Sequence, residues 1–158
     1  KSLKKGKITK EIEGIWNNNL LTEGTEKLKV NNELKWKYKG GFKDNKMHGE
    51  NGFLEWYNGD SFKGVFENGN YKNGIYKSSD FIYDGQWSAS NYTGLLSTIN
   101  FKLSGRFPTG LCRYENSEIV YEGKISNGKK HGQGELTNKK TGEVIKGNWV
   151  NNKIIKKN

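Results

Sequence analysis

Residues 121–134 have the sequence YEGKISNGKKHGQG, and the element that opens it, a large residue followed by any residue and then glycine, recurs along the chain. A second clear occurrence begins at Tyr38, and weaker ones begin at Ile12, Phe62, Tyr83, Leu103 and Ile145. The central glycines of successive occurrences are 18 to 26 residues apart. A period in this range indicates a repeat array, in which function lies on a repetitive surface.

Each occurrence predicts a β-hairpin. In residues 38–42 the two aromatic residues and the glycine between them occupy every second position. A period of two residues is typical of a strand. Residues 43–49 then form a polar turn, residues 52–56 a second strand, and Asn58-Gly59 a type I′ turn. The other Asn-Gly and Asp-Gly pairs are interpreted mostly as hairpin turns. A glycine between two large residues leaves a slot for a neighbouring ring.

The composition indicates a thin structure. The 158 residues include 21 glycines and are only 32% hydrophobic, yet 13% are aromatic, which argues against disorder. No run reaches the roughly 20 apolar residues of a membrane span, and the chain shows no leader-like segment. The single cysteine, Cys112, is interpreted as a small apolar filler. Localisation is left unassigned, with the cytoplasm or the cytoplasmic face of a membrane favoured.

The pattern resembles the MORN repeat (membrane occupation and recognition nexus), whose motif is roughly Tyr-x-Gly-x-Trp/Phe-x-x-Gly-x-x-x-Gly-x-Gly. Residues 121–134 depart from it only at Ile125, where the family prefers an aromatic residue. The resemblance implies about seven repeats over residues 8–155, between basic tails at residues 1–7 and 156–158. It implies an all-β fold, an elongated single-layer twisted antiparallel sheet of stacked β-hairpins. About 13 strands at ~4.8 Å would make it about 60 Å long.

The rings around the repeat glycines are the candidate partner-binding residues. They form a predicted aromatic face of Trp16, Phe42, Phe66, Trp87, Phe107 and Trp149, with Tyr38, Tyr83 and Tyr121 beside them. One interpretation is that the rings only fill the interfaces between repeats. However, a single-layer sheet has no second sheet to cover this face. We therefore expect some rings to stay partly exposed and to bind a helix or an extended peptide of a partner protein, as the scaffold members of the family imply.

Positive charge is concentrated at the two ends of the chain. The formal net charge is +10, and eight of the 27 basic residues are the terminal lysines Lys1, Lys4, Lys5, Lys7, Lys10, Lys153, Lys156 and Lys157. The rest of the chain contains 19 basic and 17 acidic residues, so its net charge is +2. The ends are interpreted either as solvated tails or as sites that bind acidic phospholipid headgroups, each lysine contributing about 1 kcal/mol. Strong dependence on salt would favour the phospholipid hypothesis.

Neither catalysis nor a metal or other cofactor is predicted. The two histidines, His48 and His131, occupy equivalent positions before a turn glycine, and no ligand cluster completes a site around them. Nucleic acid is not an expected partner, since the basic residues lie at the ends and not between the rings. A choline or glucan ligand is disfavoured because the Trp-Tyr-Tyr signature is missing. Open edge strands, expected near residues 7–16 and 145–155, make a homodimer a further alternative.

Overall fold

The chain forms one antiparallel sheet. The computed structural model describes residues 6–89 and 106–158, and these contain thirteen strands and no helix. The strands are β1 (Ile8–Asn17), β2 (Leu20–Val30), β3 (Glu33–Lys43), β4 (Lys46–Met47), β5 (Gly49–Trp56), β6 (Ser61–Glu67), β7 (Asn70–Lys77), β8 (Phe81–Ala89), β9 (Arg106–Asn116), β10 (Ile119–Ser126), β11 (Lys129–Asn138), β12 (Val144–Val150) and β13 (Lys153–Lys157).

Neighbouring strands follow chain order. The short strand β4 pairs with β3, and the other twelve run in sequence from β1 to β13. The prediction of an all-β open sheet of hairpins is therefore confirmed. The eleven spacings of ~4.8 Å between these twelve strands separate β1 from β13 by about 50 Å. The last strand includes Lys156 and Lys157, which pair with Asn148 and Gly147 and so belong to the sheet, although a tail was expected at residues 156–158.

Six hairpin turns have two central residues with positive φ, as a type I′ turn requires. These pairs are Asn18-Asn19, Asn31-Asn32, Asp44-Asn45, Asn68-Gly69, Asn127-Gly128 and Asn151-Asn152. Asparagine serves here because its short polar side chain tolerates the left-handed conformation. Three of the Asn-Gly and Asp-Gly pairs have their glycines, Gly52, Gly74 and Gly85, inside strands. The strand predicted at residues 52–56 and the occurrence beginning at Tyr83 already placed Gly52 and Gly85 in strands, so the turn interpretation is wrong at Gly74.

The turn at Asn58-Gly59 also differs from the prediction. Gly59 has a φ of 91°, but Asn58 is not among the residues with positive φ. Glu55 pairs with Ser61, so the connection between β5 and β6 is longer than two residues. A backbone hydrogen bond from the Gly59 N–H to the Trp56 carbonyl oxygen, 3.0 Å long, closes it. The strand positions of the prediction are confirmed, whereas the type I′ assignment is wrong here.

A row of ten glycines crosses the middle of the sheet, one on each of the strands β1–β3, β5–β8 and β10–β12. Register places them opposite each other from strand to strand, and Cys112 takes the glycine position on β9. We call this set the central glycine row: Gly14, Gly24, Gly40, Gly52, Gly64, Gly74, Gly85, Gly123, Gly134 and Gly147. A Cβ built on Gly64 would meet the Asn73 carbonyl oxygen, and one on Gly147 would meet that of Lys156. The backbones of neighbouring strands therefore approach each other too closely at this row to leave space for a side chain.

Tyrosine rings cover the row. The hydroxyl of Tyr38 donates a 2.9 Å hydrogen bond to the Gly41 carbonyl oxygen, and Tyr121 donates one of 2.6 Å to that of Lys124. Each ring thus reaches three residues along its own strand and passes over the intervening glycine. A Cβ on Gly40 would lie 2.6 Å from the Tyr38 hydroxyl oxygen. This contact explains why the repeat needs tyrosine, any residue, then glycine.

Rings four residues apart on one strand meet over the glycine between them. The ring centroids are 5.3 Å apart for Tyr38 and Phe42 and 5.1 Å apart for Tyr83 and Trp87. The Cα atoms of such residues in a flat strand are about 13 Å apart, so the rings lean toward each other. The sheet thereby covers one of its faces with its own side chains. We call this the inner face.

Candidate functional site

Most rings of the predicted aromatic face are buried in the inner face. Trp16 is 55% exposed. Seven other aromatic side chains are each 8% exposed or less: Phe42, Phe66, Trp87, Trp149, Tyr38, Tyr83 and Tyr121. The side chain of Phe107 lies outside the described residues. Our expectation of partly exposed rings therefore holds for Trp16, while mutual ring packing covers the other seven even without a second sheet. Their burial favours a packing role, and contact with a partner stays a prediction.

The inner face is open at its first edge. No strand of the described residues pairs with the outer side of β1. The inner-face residues Ile8, Ile12 and Trp16 are 68%, 41% and 55% exposed. Their cross-strand neighbours on β2 include Leu21, which is 2% exposed and belongs to the hydrophobic core. An apolar row thus borders an unpaired strand edge.

The opposite edge has a different character. Strand β13 carries Lys153, Lys156 and Lys157, and all three are exposed. The basic residues described at the first edge are Lys7 and Lys10, of which Lys10 pairs with Glu26 at 3.7 Å. Lys1, Lys4 and Lys5 lie outside the described residues. Since about 50 Å separates the edges and salt screens charges beyond ~8 Å, the two basic clusters act independently.

One cross-strand pair beside the central glycine row differs between the hairpin of β10 and β11 and that of β6 and β7. In the earlier hairpin Phe66, two residues after the row glycine, pairs with Tyr71. In the later one Ile125 stands at the corresponding position and pairs with Lys130. An aliphatic side chain and a cationic one therefore replace two rings. The next strand keeps its tryptophan in both cases, Trp87 on β8 and Trp149 on β12.

A cavity of about 320 Å³ opens on the inner face at this place. Its wall is mostly apolar and aromatic, and it is lined by Phe81, Tyr83, Tyr114, Asn116, Ile119, Tyr121, Ile125, Gly128, Lys130 and Asn152. In the β6–β7 hairpin the rings of Phe66 and Tyr71 fill the corresponding positions, with centroids 6.5 Å apart. Ile125 and Lys130 stand at these two positions here and form part of the cavity wall.

Lys130 brings a cation to the rim of this cavity. Its Nζ lies 5.4 Å from the Trp149 ring centroid and 5.9 Å from that of Tyr121. Burial lowers the pKa of its amino group, and burial raises the pKa of Tyr121 to about 12, so the tyrosine is neutral at physiological pH. Among the described residues, no ion pair includes Lys130. The cavity therefore combines an apolar wall with a cation that has no carboxylate partner in residues 6–89 and 106–158.

Sequence reasoning missed Lys130 as a candidate. The departure of Ile125 from the repeat motif was a visible signal, but the motif does not specify the residue at Lys130. The correspondence with Tyr71 depends on register, which shifts by different amounts in the two hairpins. Lys130 precedes its row glycine Gly134 by four residues, whereas Tyr71 precedes Gly74 by three. Sequence spacing alone does not reveal such a pairing.

The histidines do not come together. His48 lies beside β5, and His131 is exposed on β11. His48 Nδ1 is buried and has no hydrogen-bond partner within the described part of the chain. Residues 6–89 and 106–158 contain no group of three or more histidine, cysteine, aspartate or glutamate side chains that could hold a metal. The same residues include no helix that could cross a membrane.

Comparison with known proteins identifies the repeat. The family model described as the MORN repeat matches residues 38–61 and 121–140. These matches begin at the two clearest occurrences of the motif in the sequence, at Tyr38 and Tyr121. No curated protein matches the chain. In the structure the second match contains Ile125 and Lys130, two of the residues that line the cavity.

Proposed function

Because the chain is a MORN repeat protein, we propose that it is a non-catalytic scaffold module that binds an extended segment of a partner protein along the first edge of its inner face. MORN repeats are generally modules for interaction with proteins or membranes. The observation that carries the protein hypothesis is the exposure of Ile8, Ile12 and Trp16 on β1, whose outer edge pairs with no strand of the described residues.

The edge offers a partner two kinds of contact. The outer side of β1 has backbone N–H and C=O groups that an extended peptide can pair with, as in β-strand addition. Side chains of that peptide would then cover Ile12 and Trp16, as β2 and β3 cover the interior. Backbone pairing provides affinity, and the apolar row selects a peptide with alternating apolar residues.

Photocrosslinking tests this proposal with a matched control. A benzophenone amino acid replaces Trp16 in one variant and Tyr57 in another, because these two aromatic side chains are 55% and 57% exposed. Both variants are irradiated in an extract of the source cells. We expect protein adducts from position 16 that position 57 does not give. We also expect Ile12→Lys to suppress them, since a charge then replaces an apolar contact.

Other results would count against the proposal. Identical adducts from positions 16 and 57 would indicate nonspecific contact. Adducts that persist in the Ile12→Lys variant would show that the apolar row is not the binding surface. An unchanged thermal midpoint of the Ile12→Lys variant is the control for folding, and the side chain is exposed enough for this substitution to be tolerated.

A further inference from the structure

We propose that the cavity beside Ile125 binds a carboxylate that carries an aromatic ring, with the ring inside the cavity and the carboxylate on the Lys130 amino group. This site lies toward the β13 end of the sheet and is independent of the binding proposed for β1. Its wall includes Ile125 and Lys130, which stand where the hairpin of β6 and β7 has Phe66 and Tyr71.

The size and wall of the cavity define the body of the ligand. Its volume of about 320 Å³ is at the lower end of the range for small-molecule sites, about 300–1,000 Å³. A ring is the group that the fold itself places there, since Phe66 fills the corresponding position in the earlier hairpin. Tyr83 and Tyr114 add aromatic surface to the wall for stacked or T-shaped contacts, while the Phe81 ring is already stacked on Tyr76 and Tyr114.

The charge of the site defines the other end of the ligand. Lys130 is partly buried, its amino group faces two rings, and no ion pair of the described residues includes it. A carboxylate would form a charge-assisted hydrogen bond with that amino group in a place from which water is partly excluded. A neutral amide would gain less, and a cation would be repelled. The burial that lowers the pKa of Lys130 is consistent with an uncompensated charge.

Calorimetric titration with a matched pair of probes tests the site. N-acetylphenylalanine has the ring and the carboxylate, and N-acetylphenylalaninamide has the same ring without the charge. We expect the acid to bind with one-to-one stoichiometry and at least about tenfold more tightly than the amide. Lys130→Met should remove this preference, because it keeps the length of the side chain and deletes the charge.

The substitution Ile125→Phe tests the volume. It restores the ring that Phe66 provides in the earlier hairpin, so we expect it to abolish binding of both probes. Should that variant not fold, the Ile125 δ1 methyl resonance of the unmodified protein gives the same information. A ring bound in the cavity shifts this resonance, and the amide should shift it only at higher concentration.

The source of the carboxylate is distinguished by a third probe, a short peptide ending in phenylalanine with a free C-terminus. Binding at least about tenfold tighter than that of N-acetylphenylalanine identifies a polypeptide C-terminus as the ligand, whereas equal affinity identifies a free aromatic acid.

Three results would overturn the proposal: no acid binding at about 10 mM, equal binding of acid and amide, or acid binding that Lys130→Met leaves unchanged. Since the β1 edge takes no part, these results do not depend on the photocrosslinking outcome.

Discussion

Gly134 lies under the ring of Tyr121, and this contact accounts for the spacing of the repeat motif. The three atoms nearest to a Cβ built on Gly134 all belong to Tyr121, including its hydroxyl oxygen and Cζ. The tyrosine cannot move away without losing its 2.6 Å hydrogen bond to the Lys124 carbonyl oxygen. One glycine thus permits both the ring packing and the hydrogen bond.

Gly134→Ala is therefore expected to lower the free energy of unfolding by about 1–3 kcal/mol, the usual cost of forcing an extra methyl group into a packed site. Urea denaturation of the wild type and the variant measures this loss. A double-mutant cycle with Tyr121→Leu is the control. In the Tyr121→Leu background the loss should shrink, and an unchanged loss would show that the ring is not what excludes the methyl group.

Glu26 is a buried carboxylate among the apolar residues of the inner face. It is 6% exposed, and burial raises its pKa even though Lys10 lies 3.7 Å away. The folded protein therefore binds the proton of Glu26 more tightly than the unfolded chain does. The contribution of this residue to stability falls as the pH rises from the unfolded pKa, near 4.5, through the folded pKa.

We expect Glu26→Gln to raise the thermal midpoint at pH 7 and to raise it less at pH 4, where Glu26 is mostly protonated in both states. Thermal melts of both proteins across this range measure the difference. Glu33→Gln is the control at an exposed site, since the Glu33 side chain is 78% exposed. A Glu26→Gln gain that is the same at both pH values would contradict the assignment to burial.

At the scale of strands and turns, some features were predictable and others were not. The strands around Tyr38 and Tyr121 were predictable because a ring, a glycine and a second large side chain on one face mark the central glycine row. Turns were predicted poorly. Asn-Gly has the same letters whether its glycine lies in a turn, as Gly128 does, or in the row, as Gly74 does. Only pairing with neighbouring strands separates the two cases.

The turn between β2 and β3 also fastens the first edge. Asn31 and Asn32 both have positive φ, 51° and 67°, and the Asn31 side-chain oxygen accepts a 2.9 Å hydrogen bond from the Lys7 N–H. Asn31→Ala is expected to destabilise the protein by about 1–2 kcal/mol, since alanine is strained in the left-handed region and cannot accept this bond.

Asn32→Gly is the matched substitution in the same turn. It creates an Asn-Gly pair, which suits a type I′ turn, and it leaves the Asn31 side chain in place. We expect no loss of stability from it. Denaturation midpoints of the two variants and hydrogen exchange at the Lys7 amide measure these effects. Equal destabilisation by both substitutions would mean that backbone entropy, and not the Asn31 side chain, controls this turn.

For the whole molecule, the separation of the two edges limits binding to membranes. The three lysines of β13 form a cluster worth about 3 kcal/mol at an anionic surface, and the other basic cluster lies about 50 Å away across the sheet. We expect the protein to sediment with phosphatidylserine vesicles at low salt and to be released at about 0.15 M salt.

The control is a variant with Lys153, Lys156 and Lys157 changed to glutamine, which should bind less at low salt. Vesicle binding that persists at physiological salt in the wild type and disappears in this variant would favour the phospholipid hypothesis over the protein partner.

Cys112 interrupts the central glycine row between Gly85 and Gly123, so this chain carries its one thiol near the middle of the array. Burial raises the pKa of this partly buried thiol to about 12, so little of the reactive thiolate form is present at neutral pH while β8, β9 and β10 stay paired. The rate at which a thiol reagent modifies Cys112 then measures how often the strands in the middle of the sheet open locally. The protein thus contains its own reporter of cooperativity, which can tell whether the two halves of the array melt together or one after the other.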